Sequence, residues 1–282
     1  MKTILITGIN GYLGSCIAKR LSATYQVIGL EYSVENLFRL DGYGFKVYPV
    51  EKGFPVQVFT EHQIDVVIHC ATFYGRNDED TAKMAQANLF IPFEMLDNAI
   101  KSKCPLFINT DTVLDRFVST YALTKRHFQE WLYMRRHQIK VINLQLEHFY
   151  GPGCSNTNFV TAMIEKMSRN EPGIDLTKGE QLRDFVFVED VISAYMLILD
   201  KVGEIKEPYA SFQVGTDKLV TVKEVLITIK ALTNSTSVLN FGAIPYRENE
   251  LMKSEVDNSG LKSLGWSPKY SITEGLALTA KG

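Results

Sequence analysis

The sequence predicts an α/β protein: a doubly wound parallel sheet with helices on both faces, followed by a smaller C-terminal α/β lobe. Three observations carry that expectation. Short β-branched runs alternate with longer helical patterns through the first half, the central runs are continuously apolar, and three glycines stand where the first strand passes into the first helix. The 282 residues are enough for two compact units or one bilobal one, and 45% apolar with 22% charged residues is ordinary for a globular chain.

Taken in order, Thr3–Thr7 reads as the first strand and the chain from about Leu13 as the first helix. Strands follow at Gln26–Leu30, Lys46–Val50 and Val66–Cys70, then a helix near Ala85–Ser102 and a strand at Leu106–Thr110. A helix from about Ala122 and a strand at Val141–Leu146 complete the first half. Strand, helix, strand at this rhythm requires parallel pairing with right-handed crossovers. After Gly151-Pro152-Gly153 the rhythm becomes irregular, with mixed helices and short strands through Trp266-Ser267-Pro268. The expected division is residues 1–150 for the first domain, with a later stretch of about 186–215 returning to it, and 151–282 mainly for the second lobe. No repeat or Pro/Ser-rich linker separates them, so two lobes sharing one cleft are expected at the carboxyl ends of the strands.

The totals exclude several classes of function. Thirty basic against 32 acidic side chains give a net charge of −2, which is no footprint for a nucleic-acid backbone or an anionic membrane. An anionic ligand must then be met by a few placed arginines. Cys16, Cys70, Cys104 and Cys154 are scattered, with no C-x-x-C and no partnered histidine spacing. A disulfide frame or a metal site is not expected, and a reducing cytoplasm is. The N-terminal apolar run is too short for a signal peptide, and no stretch approaches the roughly 18 apolar residues of a membrane span.

The glycines read as a phosphate loop. Thr7-Gly8-Ile9-Asn10-Gly11-Tyr12-Leu13-Gly14 spaces them G-x-x-G-x-x-G at the strand-to-helix junction of a Rossmann-type domain. Glycine there lets the backbone approach a pyrophosphate, and the free N–H groups at the helix start hold its charge. Gly8, Asn10, Gly11, Tyr12, Leu13 and Gly14 are the candidate dinucleotide cradle; the other reading is a tight turn with packing glycines. Glu31, at the end of the second strand, is placed to accept from the adenosine ribose hydroxyls. That favours NAD(H) over NADP(H), because a 2′-phosphate would meet a like charge; a solvated loop glutamate is the alternative.

Tyr121-Ala122-Leu123-Thr124-Lys125 is a Y-x-x-x-K, and so is Tyr48-Pro49-Val50-Glu51-Lys52. Pro49 spoils any helix in the second pair, whereas Tyr121 opens a helical stretch that puts Lys125 one turn on, on the same face. Only Tyr121 and Lys125 can cooperate, the ammonium favouring the phenolate for proton transfer. The strand before them ends Asn109-Thr110-Asp111-Thr112, which offers a hydroxyl to hold a carbonyl or alcohol oxygen. The rival reading is a helix start with capping threonines.

These residues resemble the extended short-chain dehydrogenase/reductases that act on nucleotide sugars. The likeness runs over nearly the whole chain, through Thr7-Gly8 to Gly14, His69-Cys70-Ala71, Asn88, Tyr121/Lys125, Tyr150-Gly151-Pro152-Gly153, Arg183-Asp184-Phe185 and Leu264-Gly265-Trp266-Ser267-Pro268. Within that family Ala122-Leu123-Thr124-Lys125-Arg126, Leu146-Glu147-His148-Phe149-Tyr150-Gly151, Gly179-Glu180-Gln181-Leu182-Arg183 and Phe241-Gly242-Ala243-Ile244 are similar to the CDP-paratose and CDP-abequose synthase type of 4-ketoreductase. The resemblance implies Tyr121 as acid/base, Lys125 as its electrostatic partner and nicotinamide-ribose anchor, and Thr110 as the oxygen-positioning hydroxyl with Thr112 its nearest rival. It implies Ala71 beside the dinucleotide, Arg183 and Arg247 on the sugar-nucleotide diphosphate, and Glu250 on a ribose. His148 stands where many relatives carry asparagine and is either a contact for phosphates or sugar or a packed core histidine. Tyr74-Gly75-Arg76 either lines the sugar pocket or is an ordinary loop.

Departures narrow the chemistry that the resemblance implies. The 4,6-dehydratases of the family carry a glutamate base where Thr112 stands, and the epimerase-reductases that make GDP-fucose a cysteine near it. The loop between Thr110 and Tyr121 is also shorter than in most relatives. The expectation is a cytoplasmic reductase that uses NAD(H) or NADP(H) on the C4 keto group of a nucleotide-diphosphosugar, working as a homodimer and making a deoxysugar for O-antigen or lipopolysaccharide. A C4 epimerase with tightly held NAD and a non-catalytic dinucleotide-sensing scaffold are the alternatives.

Overall fold

The computed structural model describes residues 1–75, 80–247 and 250–282. Its packing divides the chain into a first unit, Met1–Gln145 with Lys201–Phe212, and a second, Leu146–Asp200 with Gln213–Gly282.

The first unit runs β1 Thr3–Thr7, α1 Tyr12–Leu21, β2 Gln26–Glu31, a 3-10 turn at Phe38–Leu40, β3 Lys46–Pro49, α2 Val58–Glu61 and β4 Val66–His69. It continues with α3 Thr81–Ala85, a π-helical turn Gln86–Phe90, α4 Ile91–Lys101, β5 Leu106–Thr112, α5 Thr120–Arg135 and β6 Lys140–Leu146. The second unit follows with β7 His148–Tyr150, α6 Phe159–Ser168, β8 Gly173–Leu176, β9 Leu182–Phe187 and α7 Val188–Lys201. β10 Tyr209–Val214 returns to the large sheet, and β11 Leu219–Thr221, α8 Val222–Leu232, β12 Val238–Phe241, α9 Ser259–Ser263 and α10 Ile272–Ala280 complete the chain.

The large sheet has the strand order β10-β6-β5-β4-β1-β2-β3. β1 pairs in parallel with both β2 and β4, so the order reverses beside β1, and Thr7 lies opposite His69 at the carboxyl end of that pair. Ligands bind at such a switch point because the loops leave on opposite faces there. β1 and β4 are buried at every residue, as their unbroken apolar runs require under helices on both faces. Leu5, Ile28, Val67, Phe107, Phe128 and Val141 pack one continuous core.

Several local rules decide boundaries that periodicity alone leaves loose. The helical segment expected near Ala85–Ser102 begins at Thr81, because the Asp80 side chain accepts the Ala82 N–H and caps it. α5 starts at Thr120 behind Ser119, whose hydroxyl accepts from the Ala122 N–H at 3.1 Å. β5 extends two residues past Thr110, to Thr112.

The second unit holds a three-stranded sheet, β11-β9-β7, and a two-stranded one, β12-β8. β7 and β9 pair in parallel, β9 and β11 antiparallel. Tyr150, Ile164, Phe185, Phe187, Val225 and Leu276 form its core. The segment that returns to the first unit spans 201–212, shorter than the expected stretch of about 186–215. α7 stays in the second unit because it is tied there by hydrogen bonds. Its Asp190 carboxylate accepts the N–H groups of Lys269 and Tyr270, at 2.8 and 3.1 Å, and Ser193 Oγ accepts from Trp266 Nε1 at 2.8 Å. Among the described residues, no helix is long and apolar enough to cross a membrane.

Candidate active site

The glycine loop leaves the carboxyl end of β1 and turns into α1 at close quarters. Gly8 has φ +62°, and a Cβ on it would lie 2.8 Å from the Ala71 backbone. A Cβ on Gly14 would lie 2.2 Å from the Gly8 carbonyl oxygen, so only glycine lets the helix start this near the strand. Gly11 is the N-cap of α1, with no side-chain cap and no acidic residue in the first turn. A helix N-terminus with no negative charge in its first turn fits an anionic pyrophosphate. Ala71 donates its N–H to Thr7 Oγ1 at 3.1 Å, and the same hydroxyl meets His69 Nδ1 at 2.7 Å. Burial, and next the Lys125 charge, hold that imidazole well below its usual pKa.

Glu31 ends β2 beside this loop, with one carboxylate oxygen accepting the Asn10 N–H at 2.8 Å and the other the Tyr32 N–H at 2.9 Å. The Asn10 side chain reaches away, donating to the Asn36 carbonyl and accepting from the Arg39 N–H at 3.1 Å. Asn10 therefore fastens the loop to the segment after β2. Tyr12 and Leu13 open α1, Leu13 in the core.

The second cluster gathers around α5. Tyr121 sits in its first turn and Lys125 one turn later, buried to 4% exposure. Lys125 Nζ donates to the Thr110 carbonyl at 2.6 Å, which ties the helix to the strand that carries the candidate hydroxyl. Burial lowers the ammonium pKa, and the nearby Asp111 and Cys70 oppose that shift. Asp111 is pushed up by the same burial, against the pull of Lys125 and a hydrogen bond from Asn143 Nδ2 at 2.9 Å. Thr110 Oγ1 donates to Cys70 Sγ at 3.3 Å. Thr112, at the end of β5, accepts from the Leu114 N–H with its hydroxyl. Beside it opens a hollow of about 290 Å³, lined among others by Asp111, Thr112, Arg116, Arg126, Gln129 and Gln145.

Tyr74 lies against Tyr121, with ring centroids 4.8 Å apart and planes at 37°. Arg76, the last residue of the candidate Tyr74-Gly75-Arg76 segment, lies outside the described residues. The competing tyrosine, Tyr48, is in β3 with its hydroxyl on Glu61 and His62, so that Y-x-x-x-K forms no helical pair.

The second unit collects the other candidates. Arg183 Nη2 donates to Glu250 Oε1 at 2.8 Å, and Gln181 Nε2 donates to the same oxygen at 3.3 Å. Burial lowers the Arg183 pKa, opposed by Glu250 and Glu147. Arg247 is exposed, and its carbonyl accepts the Glu250 N–H at 3.1 Å. His148 opens β7 with an exposed ring whose Nδ1 is 3.1 Å from Glu147 Oε2.

A family model described as the NAD dependent epimerase/dehydratase family matches residues 4–215. The chain belongs to that family. A CDP-abequose synthase of Salmonella muenchen is 32% identical over 98% of this chain and 96% of its own length. One of Salmonella typhimurium is 36% identical over 74% of this chain and 73% of its own. Among solved structures, UDP-glucose 4-epimerase of Thermotoga maritima, determined with UDP-glucose, has a TM-score of 0.87 at 25% identity and covers 99% of this chain and 97% of that one.

Several residues of this epimerase/dehydratase-family chain escaped the sequence reading as individual participants. Cys70, Glu147 and Asp184 lay inside motifs quoted whole, and their type alone gives no hint that they meet Thr110, His148 and Thr216. Asn88, quoted only as part of the resemblance, forms a clamp. Its Oδ1 accepts the Phe73 N–H at 2.8 Å, and its Nδ2 donates to the Phe73 carbonyl and to Thr124 Oγ1. Thr124 Oγ1 in turn donates to the Tyr121 carbonyl at 2.8 Å. One buried amide thus fixes both the backbone before Tyr74 and the turn that carries Tyr121.

Proposed function

We propose that the chain reduces the C4 keto group of a nucleotide-diphospho-4-keto-deoxyhexose, CDP-linked and deoxygenated at C6 or at C3 and C6, making a deoxysugar precursor for O-antigen or lipopolysaccharide. The observation that carries this reading is the buried Lys125 ammonium on the Thr110 carbonyl, one helical turn after Tyr121. It puts a positive charge where a phenol and a strand-end hydroxyl start. The two Salmonella relatives named CDP-abequose synthase support the substrate class.

Bound in the Gly8–Gly14 cradle, the nicotinamide coenzyme supplies the hydride. Tyr121 gives its proton to the oxygen at C4 as that oxygen becomes an alkoxide, Thr110 orients the oxygen, and Lys125 stabilises the phenolate left behind. Thr112 carries no carboxylate, so no base follows Asp111 to remove a C5 proton. Arg183, Arg247 and His148 hold the diphosphate, Glu250 a ribose, and Tyr74 and Thr112 the sugar. Glu31 favours NAD(H), since its carboxylate would repel a 2′-phosphate. The protein works in the cytoplasm, and two copies pair through the helices flanking Tyr121, where Phe90, Trp131 and Met134 are exposed.

The test supplies 4-keto-6-deoxy and 4-keto-3,6-dideoxy CDP-sugars with deuterated NADH or NADPH and reads the product by mass spectrometry and NMR. A reductase consumes one coenzyme per product and leaves one deuterium on C4, with NADH giving the larger kcat/KM. Conversion of a 4-hydroxy sugar nucleotide without added coenzyme and without label would make the protein an epimerase. Silence with every substrate would favour the scaffold.

A further inference from the structure

Asp111 lies near the carboxyl end of β5 and is buried. One carboxylate oxygen accepts the Thr112 N–H at 2.8 Å, and the other accepts from Asn143 Nδ2 at 2.9 Å. Asn143 belongs to the neighbouring strand β6. Its Oδ1 accepts from Asn109 Nδ2 at 2.7 Å, and its Nδ2 also donates to Ser211 Oγ of β10 at 3.1 Å. Asn109, Asn143 and Asp111 therefore form a buried polar ladder between two strands of the large sheet. Lys125 Nζ rests on the carbonyl of the peptide that joins Thr110 to Asp111, so a buried ammonium and a buried carboxylate meet on one short stretch of strand.

The titratable groups that face Lys125 are His69 and Cys70 from β4 and the residue after it, and Asp111 from β5, while Tyr121 lies one turn earlier on its own helix. The His69 imidazole is held well below its usual range and is neutral, and the Cys70 thiol is pushed up to about 11. Near neutrality the carboxylate is thus the one of these groups that can carry the opposite charge. Asp111 in turn faces Lys125 and Arg126 from α5 and Tyr209 from β10. The Arg126 side chain is 42% exposed and is matched by Glu130 at 3.2 Å, which leaves Lys125 as the buried counterpart of Asp111.

A buried amide ladder that ends in a carboxylate adds little to stability. Asn109 Oδ1 has no hydrogen-bond partner among the described residues, and apolar side chains of similar size would serve the sheet better. The ladder does fix the place of one negative charge. A lysine taken out of water gives up its proton more readily, and once neutral it no longer favours a phenolate.

We propose that Asp111 is a positioning residue for the proton-transfer pair: clamped by Asn143 and the Thr112 N–H, its carboxylate keeps Lys125 in the ammonium form that Tyr121 needs. The use of that pair in turnover rests on the reductase reading above; the charge state of Lys125 does not.

Burial lowers the Lys125 pKa and the carboxylate raises it, so loss of the carboxylate acts on the alkaline side. NMR of the full chain with isotope-labelled lysine, the Lys125 ε-methylene signal assigned through Lys125→Met, follows the ammonium with neither substrate nor coenzyme. Asp111→Asn should move the alkaline midpoint of that signal down by about one pH unit. Asn143→Ala breaks the same ladder but keeps the carboxylate, so it should lower stability in urea and leave the alkaline midpoint in place. The native signal should also show a second, smaller inflection on the acid side, where Asp111 takes up a proton. Asn143→Ala removes a hydrogen bond that favours the ionised carboxyl and should move this inflection to higher pH, an outcome that decides the matter if Asp111→Asn does not fold. In turnover, Asp111→Asn should bring the alkaline limb of kcat down by the same interval, with a smaller loss on the acid side. A Lys125 midpoint unmoved by Asp111→Asn, an equal downward shift in Asn143→Ala, or a native signal with no acid inflection would overturn the proposal. Failure of the reductase reading shows separately, as absence of keto-sugar reduction by the native chain while the lysine titrates as described.

Discussion

At Tyr121 and Tyr48 the same five-residue pattern has two outcomes. Tyr121 lies on a helix with a buried lysine one turn away, while the Tyr48 hydroxyl is engaged by Glu61 and His62 at the edge of the sheet. Tyr121→Phe should lower kcat by about 10²–10⁴-fold with coenzyme affinity nearly intact, because only the transferable proton is lost. Tyr48→Phe should leave kcat within about twofold of the native value, and steady-state assays of the two side by side are the check. The cysteines offer a second measurement. Burial pushes both the Cys70 and Cys104 thiols up to about 11. Thiolate is the reactive form, so both should resist iodoacetamide at pH 8 in the native protein, become reactive only as pH rises toward 11, and react readily after unfolding. Peptide mapping by mass spectrometry would read this, and alkylation of Cys70 at pH 8 without unfolding would contradict it.

Among the elements, the π-helical turn Gln86–Phe90 between α3 and α4 has the clearest consequence, because it carries Asn88. Asn88 is 3% exposed and satisfies both backbone groups of Phe73 as well as Thr124 Oγ1. Asn88→Ala would leave a buried N–H and a carbonyl unmatched, at a cost of about 2–4 kcal/mol in urea unfolding. It should also lower kcat more than it raises the coenzyme Kd, since the loop of Tyr74 and the first turn of α5 lose their common anchor while the glycine loop keeps its own bonds. Unchanged stability would show that the amide is dispensable to the fold. Helical periodicity marks the segment as apolar and helical, but a π-turn has no period of its own, so its position emerges only when Asn88 meets its partners.

On the scale of the whole molecule, the candidate residues fall into two sets, one in each packing unit. Gly8 to Gly14, Glu31, Thr110, Tyr121 and Lys125 belong to the first, His148, Arg183, Arg247 and Glu250 to the second. Dinucleotide and nucleoside diphosphate should therefore lose affinity to different substitutions. Gly14→Ala puts a Cβ where the Gly8 carbonyl already lies, 2.2 Å away, and should weaken NADH at least tenfold with CDP binding kept. Arg183→Ala removes a charge-assisted contact and should weaken CDP by about 10–100-fold with NADH binding kept. Calorimetry with each ligand on each variant completes the comparison, and equal losses across it would place Arg183 elsewhere.

The doubly wound sheet, the order of its first six strands along the chain, the tight glycine turn into α1 and the helical placement of Tyr121 and Lys125, against the strand placement of Tyr48, were all legible in the residues. Each follows from interactions within a turn or two of chain: apolar period, the steric needs of glycine, and the ban on proline inside a helix. The shared anchoring of Tyr74 and Tyr121 by Asn88, the hold of Glu147 on His148, the Thr110 contact with Cys70, and the ties that keep α7 in the second unit were not. Apart from the Glu147–His148 contact, these join residues far apart in the chain, and their hydrogen bonds depend on burial and direction that no local pattern encodes. Even neighbours such as Glu147 and His148 become a carboxylate–imidazole pair only once the strand that follows and the carbonyl of Val214 have turned one side chain inward and the other out.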